Sequence, residues 1–255
     1  MTLLEVTNVT KKFGGVTAID EVSFRAEAGR VLALIGPNGA GKSTMFNVIS
    51  GNYAPTSGTL RFDDRDVTGA NSVAMSRLGV SRTFQKIRLF KALSVMDNVV
   101  IGAQSSAPVA PWRFFFGGGA VRAAAAETRK HALEMLDLVG LGDVGDVRAD
   151  TLSYGQQRML EIARALATKP RLLLIDEPAA GLNQAEADGL VRRLRLIRDQ
   201  GITLMLVEHN MDLVMDIAED IVVMNFGKKI AQGAPREIQE NPDVIRAYLG
   251  EEAMA

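Results

Sequence analysis

Nine consecutive residues near the start of the chain have the types and spacing of a loop that binds phosphate groups. The segment GPNGAGKST matches the pattern G-x-x-x-x-G-K-[ST], whose glycines let backbone N–H groups converge on phosphates at the start of a helix. Lys42 is expected to bridge the β- and γ-phosphates of a nucleoside triphosphate, and the Ser43 hydroxyl to ligate Mg²⁺. The alternative to a phosphate-binding loop is an ordinary glycine-rich turn. The loop consists of Gly36, Pro37, Asn38, Gly39, Ala40, Gly41, Lys42, Ser43 and Thr44.

Two carboxylates and a histidine follow apolar runs later in the chain. Asp176 ends the segment LLLID at 172–176 and Glu177 follows it, while His209 comes two residues after TLMLV at 203–207. Since successive side chains of a strand point in opposite directions, Asp176 can hold the Mg²⁺ shell through water while Glu177 polarises an attacking water. The alternative is a pair of carboxylates that caps a sheet edge. His209 is expected to emerge at the same edge of the sheet.

The segment LSYGQQ at 152–157 narrows the predicted function from nucleotide binding in general to one family of proteins. It lies downstream of the phosphate loop and upstream of the carboxylate pair. With it, the chain resembles ATP-binding-cassette ATPases over nearly its whole length. Five blocks occur in the order of that family, namely the phosphate loop, Gln85, LSYGQQ, Asp176 with Glu177, and His209.

The resemblance assigns further roles to single residues. It implies that His209 contacts the γ-phosphate, and that Gln85 reaches Mg²⁺ and senses the transporter. Ser153 and Gly155 are implied to point at the γ-phosphate held by a second subunit, so that two head-to-tail cassettes enclose two ATP molecules. ATP and Mg²⁺ are the expected cofactors, and hydrolysis is expected to reopen the dimer.

Adenine recognition is assigned to Phe13 in the segment TKKFGG. Its ring is the candidate for stacking on the base, with Val16 or Val22 adding apolar contact. Ordinary core packing of Phe13 is the alternative. The sequence contains no N-K-x-D element, which argues against a dedicated GTPase.

The hydrophobic pattern predicts an α/β fold with an antiparallel layer and a helical insertion, and the resemblance implies a P-loop NTPase (RecA-like) core with an antiparallel β subdomain and an α-helical subdomain. Continuous apolar runs at 31–35, 172–175, 203–207 and 221–224 predict buried parallel strands. Alternating segments around Leu4 and Val6, at 22–27 and at 59–62 predict half-buried strands. Helices are expected at about 122–139, from near Gln156 to a point before Lys169 and Pro170, and from 183 to 200, the last with Asn183 and Glu186 as a capping pair.

These elements predict one cassette domain over residues 1–255. Its core and β subdomain take 1–85 and 159–230, the helical subdomain takes 86–158, and a C-terminal helical tail takes 231–255. A loop is expected at 111–119, where Pro111 and three glycines oppose regular structure. His131, inside the helical subdomain, is expected to be a surface residue.

Composition limits the partners. The formal net charge of −1 gives no basic excess for nucleic acid or for an anionic membrane. The chain has no cysteine, and its first residues lack the basic start and apolar run of a signal peptide. No stretch approaches the roughly 20 apolar residues that span a bilayer. The expected location is therefore the cytoplasmic face of the membrane, held there by partners.

Within the family, the chain is most similar to the ATP-binding subunits of branched-chain amino-acid importers, the LivG type. The resemblance rests on RTFQKIRLFKALSVMDNV, LSYGQQRMLEIARAL, PAAGLN, VEHNMD and GAPREIQENPDVIRAYLG. It implies two transmembrane permease subunits, a second ATPase subunit, identical or related, and indirectly a periplasmic solute-binding protein. Nucleic acid is not an expected partner. Lipopolysaccharide-export, urea and amide cassettes, soluble non-transport cassettes and a plain P-loop phosphotransferase are the alternatives.

Three local features remain open. Tyr154 stands where the signature usually has glycine, and Asn183 stands where the interface loop usually has Asp. The aromatic cluster Trp112, Phe114, Phe115 and Phe116 is either a partner contact or a cover over the helical subdomain. The permeases are expected to bind in the groove around residues 86–100.

Overall fold

Two β-sheets with helices around them make up the structure, a computed structural model that describes residues 1–105 and 118–252. The strands are β1 Thr2–Phe13, β2 Val16–Glu27, β3 Val31–Ile35, β4 Ser57–Phe62, β5 Arg65–Asp66, β6 Val80–Arg82, β7 Leu172–Asp176, β8 Thr203–Val207, β9 Asp220–Asn225 and β10 Lys228–Gly233. The helices are α1 Lys42–Ile49, α2 Ser72–Arg77, α3 Val95–Ser105, α4 Gly118–Val139, α5 Tyr154–Leu166, α6 Gln184–Asp199, α7 Met211–Ile217, α8 Pro235–Gln239 and α9 Pro242–Glu252. Short 3₁₀ turns occupy Gly142–Val144 and Ala149–Thr151.

The antiparallel sheet has the strand order β2-β1-β4-β5. Buried residues alternate with less buried ones along β4 and along the second half of β2, as expected for a sheet with one face on the core, whereas β1 has Leu3 and Leu4 buried next to each other. Leu4 and Val6 lie on the buried face of β1. The predicted half-buried strands are thus confirmed, each within a somewhat longer element.

The second sheet has the order β10-β9-β3-β8-β7-β6. Its strands are parallel except for the edge strand β10, which pairs antiparallel with β9. Every residue of β3, β7 and β8 is buried, which is the reason that these strands read as unbroken apolar runs. The segments that follow β3, β8, β7 and β6 therefore meet at one edge of the sheet.

Hydrophobic cores lie on both faces of this sheet. One core joins the two sheets through α1, with Phe46, Phe62 and Leu174 among its members. The other packs α3, α4, α5 and α6 against the opposite face, with Leu136 and Leu190 among its members. A smaller cluster holds α8 and α9 against β9. Because α1 is packed in this way, the phosphate loop before it is carried on a rigid support.

The two helices that follow the signature and the carboxylates begin with capping boxes. Ser153 and Gln156 form one at the start of α5, and Asn183 and Glu186 form the other at the start of α6. The predicted capping pair is confirmed. Each cap is worth about 1 kcal/mol of helix stability, and each fixes where the preceding loop ends.

Several sequence predictions differ from the structure in detail. Helix α4 begins at Gly118, so the last two residues of the predicted loop 111–119 are helical. Helix α5 runs across the proposed domain boundary at 158/159. The proposed helical tail starts within β10, and its first helix begins at Pro235, where proline suits the first helical turn.

His131 is less exposed than the sequence predicts. Its side chain is only 17% exposed, and its Nε2 lies 3.2 Å from the carbonyl oxygen of Ala167. Within 1–105 and 118–252, no helix combines the length and the apolar character needed to cross a membrane. The cluster Trp112 to Phe116 lies outside the described residues.

Candidate functional site

The phosphate loop leaves β3 after Ile35 and turns sharply into α1. Gly36 and Gly41 both have positive φ, and a Cβ at either would collide with a backbone carbonyl oxygen, that of Met224 or of Ala18. Only glycine fits so close to neighbouring backbone. The turn Phe226–Gly227 supports the loop from outside, since the Gly227 N–H donates to the Ala40 carbonyl.

Lys42 is buried at the centre of this loop. Its Nζ donates to the carbonyl oxygens of Gly36 and Pro37, at 2.5 and 2.8 Å. These contacts hold the ammonium group inside the curve that the loop makes, where it faces a cavity of about 470 Å³. The cavity is lined by Val16, Thr17, Ala18, Asn38, Gly39, Ala40, Gly41, Lys42, Ser43, Thr44, Glu177, His209, Phe226 and Gly227.

The Glu177 carboxylate contacts two other predicted site residues, Gln85 and His209. Its Oε2 accepts a hydrogen bond from Gln85 Nε2 at 2.8 Å, and its Oε1 lies 3.2 Å from His209 Nε2. The three side chains come from the segments that follow three neighbouring strands, β6, β7 and β8. Glu177 has a φ of 47°, an unusual value for a residue with a side chain. The carboxylate is thus oriented from both sides at the edge of the cavity.

Asp176 forms an ion pair with an arginine that was not predicted from the sequence. Arg82, the last residue of β6, donates from Nη2 to Asp176 Oδ2 at 2.9 Å. Its Nη1 donates to Asn47 Oδ1 on α1 at 2.7 Å. The two charged side chains are only 12% and 8% exposed. A basic residue at the carboxyl end of a strand, three residues before Gln85, was the available signal.

Glu208 is a second residue that the sequence reading missed. It is buried, and its Oε1 accepts a hydrogen bond from the Ala179 N–H at 2.7 Å. Its Oε2 accepts from the N–H groups of His209 and Asn210, at 2.9 and 3.2 Å. A buried carboxylate that accepts three backbone N–H groups ties the loop after Glu177 to the segment that carries His209.

Phe13 does not line the phosphate-loop cavity. Its ring packs edge-on against Tyr53, with a centroid distance of 5.3 Å, and it is 43% exposed. Of the two valines predicted to assist it, Val16 lines the cavity. The suggestion for Val22 is wrong, because its side chain is 1% exposed within the core. The structure adds Phe226, which is 86% exposed and does line the cavity.

Ser153 and Gly155 lie at a different place. They line a cavity of about 510 Å³ between the start of α5 and the start of α6, together with Gln156 and Glu186. Ser153 Oγ accepts a hydrogen bond from the Gln156 N–H at 3.3 Å. Neither residue lines the cavity of their own chain's phosphate loop. Their role toward a second subunit's nucleotide stays a prediction.

The residues predicted to hold Mg²⁺ have the donor chemistry that this ion prefers. Magnesium takes oxygen ligands, usually one or two carboxylates with phosphates and waters. Ser43 supplies a hydroxyl beside the phosphate loop, and Asp176 keeps a carboxylate whose Oδ2 is bonded to Arg82. Gln85 uses its Nε2 on Glu177, which leaves its amide oxygen outside that bond. This set fits a Mg²⁺ ion brought by a nucleotide.

A groove on the side of the molecule borders the segment after Gln85. This lateral groove, of about 460 Å³, lies between β6, α3 and α5. Its members include Arg82, Phe84, Arg88, Phe90 and Arg164. The Arg88 guanidinium lies 4.4 Å from the centroid of the Phe84 ring, and Phe90 is 49% exposed. The lateral groove coincides with part of the predicted permease contact, residues 86–100.

Comparison with known proteins gives matches along the chain. A family model described as ABC transporter matches residues 19–180, and one described as branched-chain amino acid ATP-binding cassette transporter matches residues 228–254. The chain is 43% identical over 250 residues to the high-affinity branched-chain amino acid transport ATP-binding protein BraF of Pseudomonas aeruginosa, with 98% of each chain covered. It is 42% identical over 252 residues to the corresponding LivG protein of Salmonella typhimurium, again with 98% of each covered.

A solved structure agrees with the fold. The ADP conformation of an ATP-binding cassette of an ABC transporter superposes with a TM-score of 0.85 at 31% identity, covering 98% of this chain and 99% of the other. The predicted α/β cassette fold and the predicted resemblance are both confirmed.

Proposed function

The chain belongs to the ABC transporter family as an ATP-binding subunit with ATPase activity, and from this premise we propose that it powers the import of branched-chain or other hydrophobic amino acids. The observation that carries the catalytic part is the Glu177 carboxylate, which Gln85 and His209 orient at the cavity of the phosphate loop. The match of residues 228–254 to the branched-chain amino-acid cassette model supports the solute class.

The residues divide the reaction between binding and water activation. The N–H groups of residues 36–44 and the Lys42 ammonium hold the phosphates at the start of α1. Glu177 accepts the proton of the attacking water, and His209 Nε2, which contacts Glu177 Oε1 before nucleotide binds, turns to donate toward the γ-phosphate. Ser43, Gln85 and Asp176 would hold Mg²⁺, which when bound would supply positive charge against the phosphate oxygens. Phe13 stacks on adenine after leaving its contact with Tyr53, with Val16 and Phe226 on the cavity side.

Dimerisation with a second cassette completes the site. Ser153 and Gly155 contribute a hydroxyl and a backbone N–H at the start of α5, where the helix dipole favours an anion. A γ-phosphate bound between the two subunits favours closure, and its departure removes that contact. The partner is a second ATPase subunit, identical or related.

One of the two transmembrane permeases binds at the lateral groove, and the subunit therefore works at the cytoplasmic face of the membrane. The exposed Phe90 ring and the adjacent arginines give this groove an apolar and basic character. A contact here reaches Gln85 through the short segment 86–90. A periplasmic solute-binding protein selects the solute and acts on this chain through the permeases.

The proposal is tested by tagging the chain in its native cell, extracting the membranes gently and identifying the proteins that co-purify. Recovery of two multi-spanning permeases with a second ATPase subunit supports it, and the solute-binding protein encoded with them is then titrated with leucine, isoleucine and valine. Recovery with lipopolysaccharide-export permeases, or with urea or amide permeases, overturns the solute class. Recovery only in the soluble fraction with ribosomal or nucleic-acid partners overturns transport.

A further inference from the structure

Arg158 on α5 is buried completely, and its guanidinium group faces the segment that carries Gln85. Its Nη1 donates to the carbonyl oxygen of Phe84 at 2.9 Å, and its Nη2 donates to the carbonyl oxygen of Gln85 at 3.0 Å. Two nitrogens of one rigid planar group therefore bind two consecutive carbonyls. The backbone at Gln85 is fixed relative to α5 by this fork.

Glu161, one turn further along α5, completes the contact. Its Oε2 lies 3.1 Å from Arg158 Nη1, and its Oε1 accepts hydrogen bonds from the N–H groups of Phe84 and Arg88, at 3.5 and 3.4 Å. Arginine thus binds carbonyls of the segment 84–88 and glutamate binds its N–H groups. Residues 84–88 lie in none of the strands or helices, so these side chains satisfy backbone groups that a sheet would otherwise pair.

A buried ion pair of this kind is weak support for stability, because desolvation offsets the attraction between the charges. Burial raises the pKa of Glu161 above its ordinary value, and the neighbouring Arg158 opposes that shift. Net stabilisation is therefore a poor explanation for the pair. The directed contacts with both sides of one loop indicate a role in positioning.

Tyr154 connects the same arginine to the loop after Glu177. Arg158 Nη2 lies 3.4 Å from the hydroxyl oxygen of Tyr154, the residue that replaces the usual glycine of the signature. The Tyr154 ring packs on Gly181, where a Cβ would lie 3.2 Å from Cε1 of the ring. Gly181 belongs to the loop that connects Glu177 to α6.

These contacts form a closed ring through the site. It runs from Glu177 through its loop to Gly181, across Tyr154 to Arg158, then through the backbone of Gln85 to the Gln85 amide, which donates back to Glu177 at 2.8 Å. We propose that Arg158 is a positioning residue for ATP hydrolysis, which couples the orientation of α5 to the Gln85 amide and so to the Glu177 carboxylate. This role rests on the catalytic part of the proposed function, the assignment of Glu177 and Gln85, and does not depend on the transported solute.

The test is a double-mutant cycle on the ATPase activity of the purified full chain. Lysine keeps the charge of Arg158 but offers one nitrogen on a flexible stem, so it cannot hold the carbonyls of Phe84 and Gln85 and the Tyr154 hydroxyl in the fixed planar geometry of the guanidinium group. Arg158→Lys is expected to lower kcat about tenfold or more, while KM for ATP and nucleotide affinity change by less than about threefold. In a protein that already carries Gln85→Ala, Arg158→Lys is expected to lower kcat by less than about twofold, because its effect passes through Gln85.

The matched control is Arg195→Lys. Arg195 also donates from a guanidinium nitrogen to a backbone carbonyl of a neighbouring helix, that of Asp216 at 2.9 Å, but it lies on α6 away from Gln85. It is expected to keep kcat and KM. If Arg158→Lys fails to fold, Tyr154→Phe replaces it, and its smaller loss of kcat is expected to vanish in the same Gln85→Ala background.

An unchanged kcat in Arg158→Lys overturns the proposal. The proposal is also overturned if Arg158→Lys lowers kcat by the same factor with Gln85 as with Gln85→Ala, because an equal loss of kcat indicates a general structural defect. A loss of nucleotide affinity as large as the loss of kcat also overturns the proposal. None of the hydrogen bonds described for Arg158 goes to a residue that lines the phosphate-loop cavity, so the substitution should leave nucleotide binding in place.

Discussion

The Nε2 atom of His209 lies 3.2 Å from Oε1 of Glu177, although the two residues are 32 positions apart in the sequence. The contact exists because β7 and β8 are neighbours in the parallel sheet, so the segments after them meet at one edge. The Glu177 N–H also donates to the carbonyl of Val207, the last residue of β8, at 2.8 Å. A histidine that touches the candidate base can hold its orientation while the opposite oxygen of the carboxylate binds Gln85.

Replacing Glu177 with glutamine separates binding from chemistry. Glutamine keeps the size of the side chain but cannot take the proton of the attacking water. We expect Glu177→Gln to retain nucleotide binding and to lower turnover by about 10²- to 10⁴-fold, the usual contribution of a general base. Phosphate release and nucleotide affinity are measured side by side, with the exposed Glu134→Gln as the control. Near-normal turnover removes Glu177 from this role.

The pair Arg82 and Asp176 allows a prediction about Mg²⁺. Arg82→Gln leaves a nearly buried carboxylate without its cation, which costs about 3–5 kcal/mol of unfolding free energy. Added Mg²⁺ with nucleotide supplies a replacement positive charge. We therefore expect Mg²⁺ to raise the Tm of Arg82→Gln more than that of the wild type, relative to samples in EDTA. Equal Mg²⁺-induced shifts in the two proteins contradict the prediction.

The sequence predicted the parts of the site that follow directly from strand ends. Buried strands appear as unbroken apolar runs, so the positions of Asp176, Glu177 and His209 at one edge could be read without coordinates. Arg82 and Glu208 were missed because their importance comes from partners 94 and 29 residues away. No local pattern marks such pairs.

The helical side of the fold was harder to predict for the same reason. Arg158 lies in the recognised segment LSYGQQR, but its contacts with the backbone of Phe84 and Gln85 span more than 70 residues. Phe13 illustrates the opposite case, since the family pattern assigned it to adenine while the structure packs it against Tyr53. An aromatic residue at a hairpin end can adopt either position, and the sequence does not distinguish them.

Glu161 gives the stability of the protein a predictable dependence on pH. Burial raises its pKa above the ordinary value of 4.5, so the folded state keeps the proton to a higher pH than the unfolded state does. Stability from this group is therefore present below the unfolded pKa and is lost as pH rises through the folded pKa. Glutamine at position 161 does not titrate.

We expect the unfolding free energy of Glu161→Gln, relative to wild type, to increase as pH rises from about 4 to about 7.5. Arg158 and Arg164 face the group, and both oppose the rise in the pKa of Glu161 that burial causes. Urea unfolding at each pH measures the difference, and the exposed Glu240→Gln is the control expected to keep the wild-type profile. A flat or falling difference contradicts the prediction.

Phe226 occupies a turn that does not suit it. It forms the two-residue connection between β9 and β10 with Gly227, and both residues have positive φ, 44° and 80°. This is the type I′ geometry, in which Asn-Gly is the favoured pair. The ring is 86% exposed, so contacts within the chain do not compensate for the backbone conformation. It does line the phosphate-loop cavity, beside Val16.

Asparagine at this position is expected to separate the two effects. Phe226→Asn should raise the unfolding free energy by about 1 kcal/mol, because asparagine adopts the left-handed conformation at lower cost. It should also raise the KM for ATP about fivefold, since an aromatic contact with the nucleotide is worth about 1 kcal/mol. Urea unfolding and steady-state ATPase assays measure the two quantities, with the exposed Val73→Asn on α2 as control. A gain in stability with unchanged KM limits Phe226 to the turn, whereas unchanged stability contradicts the strain argument itself.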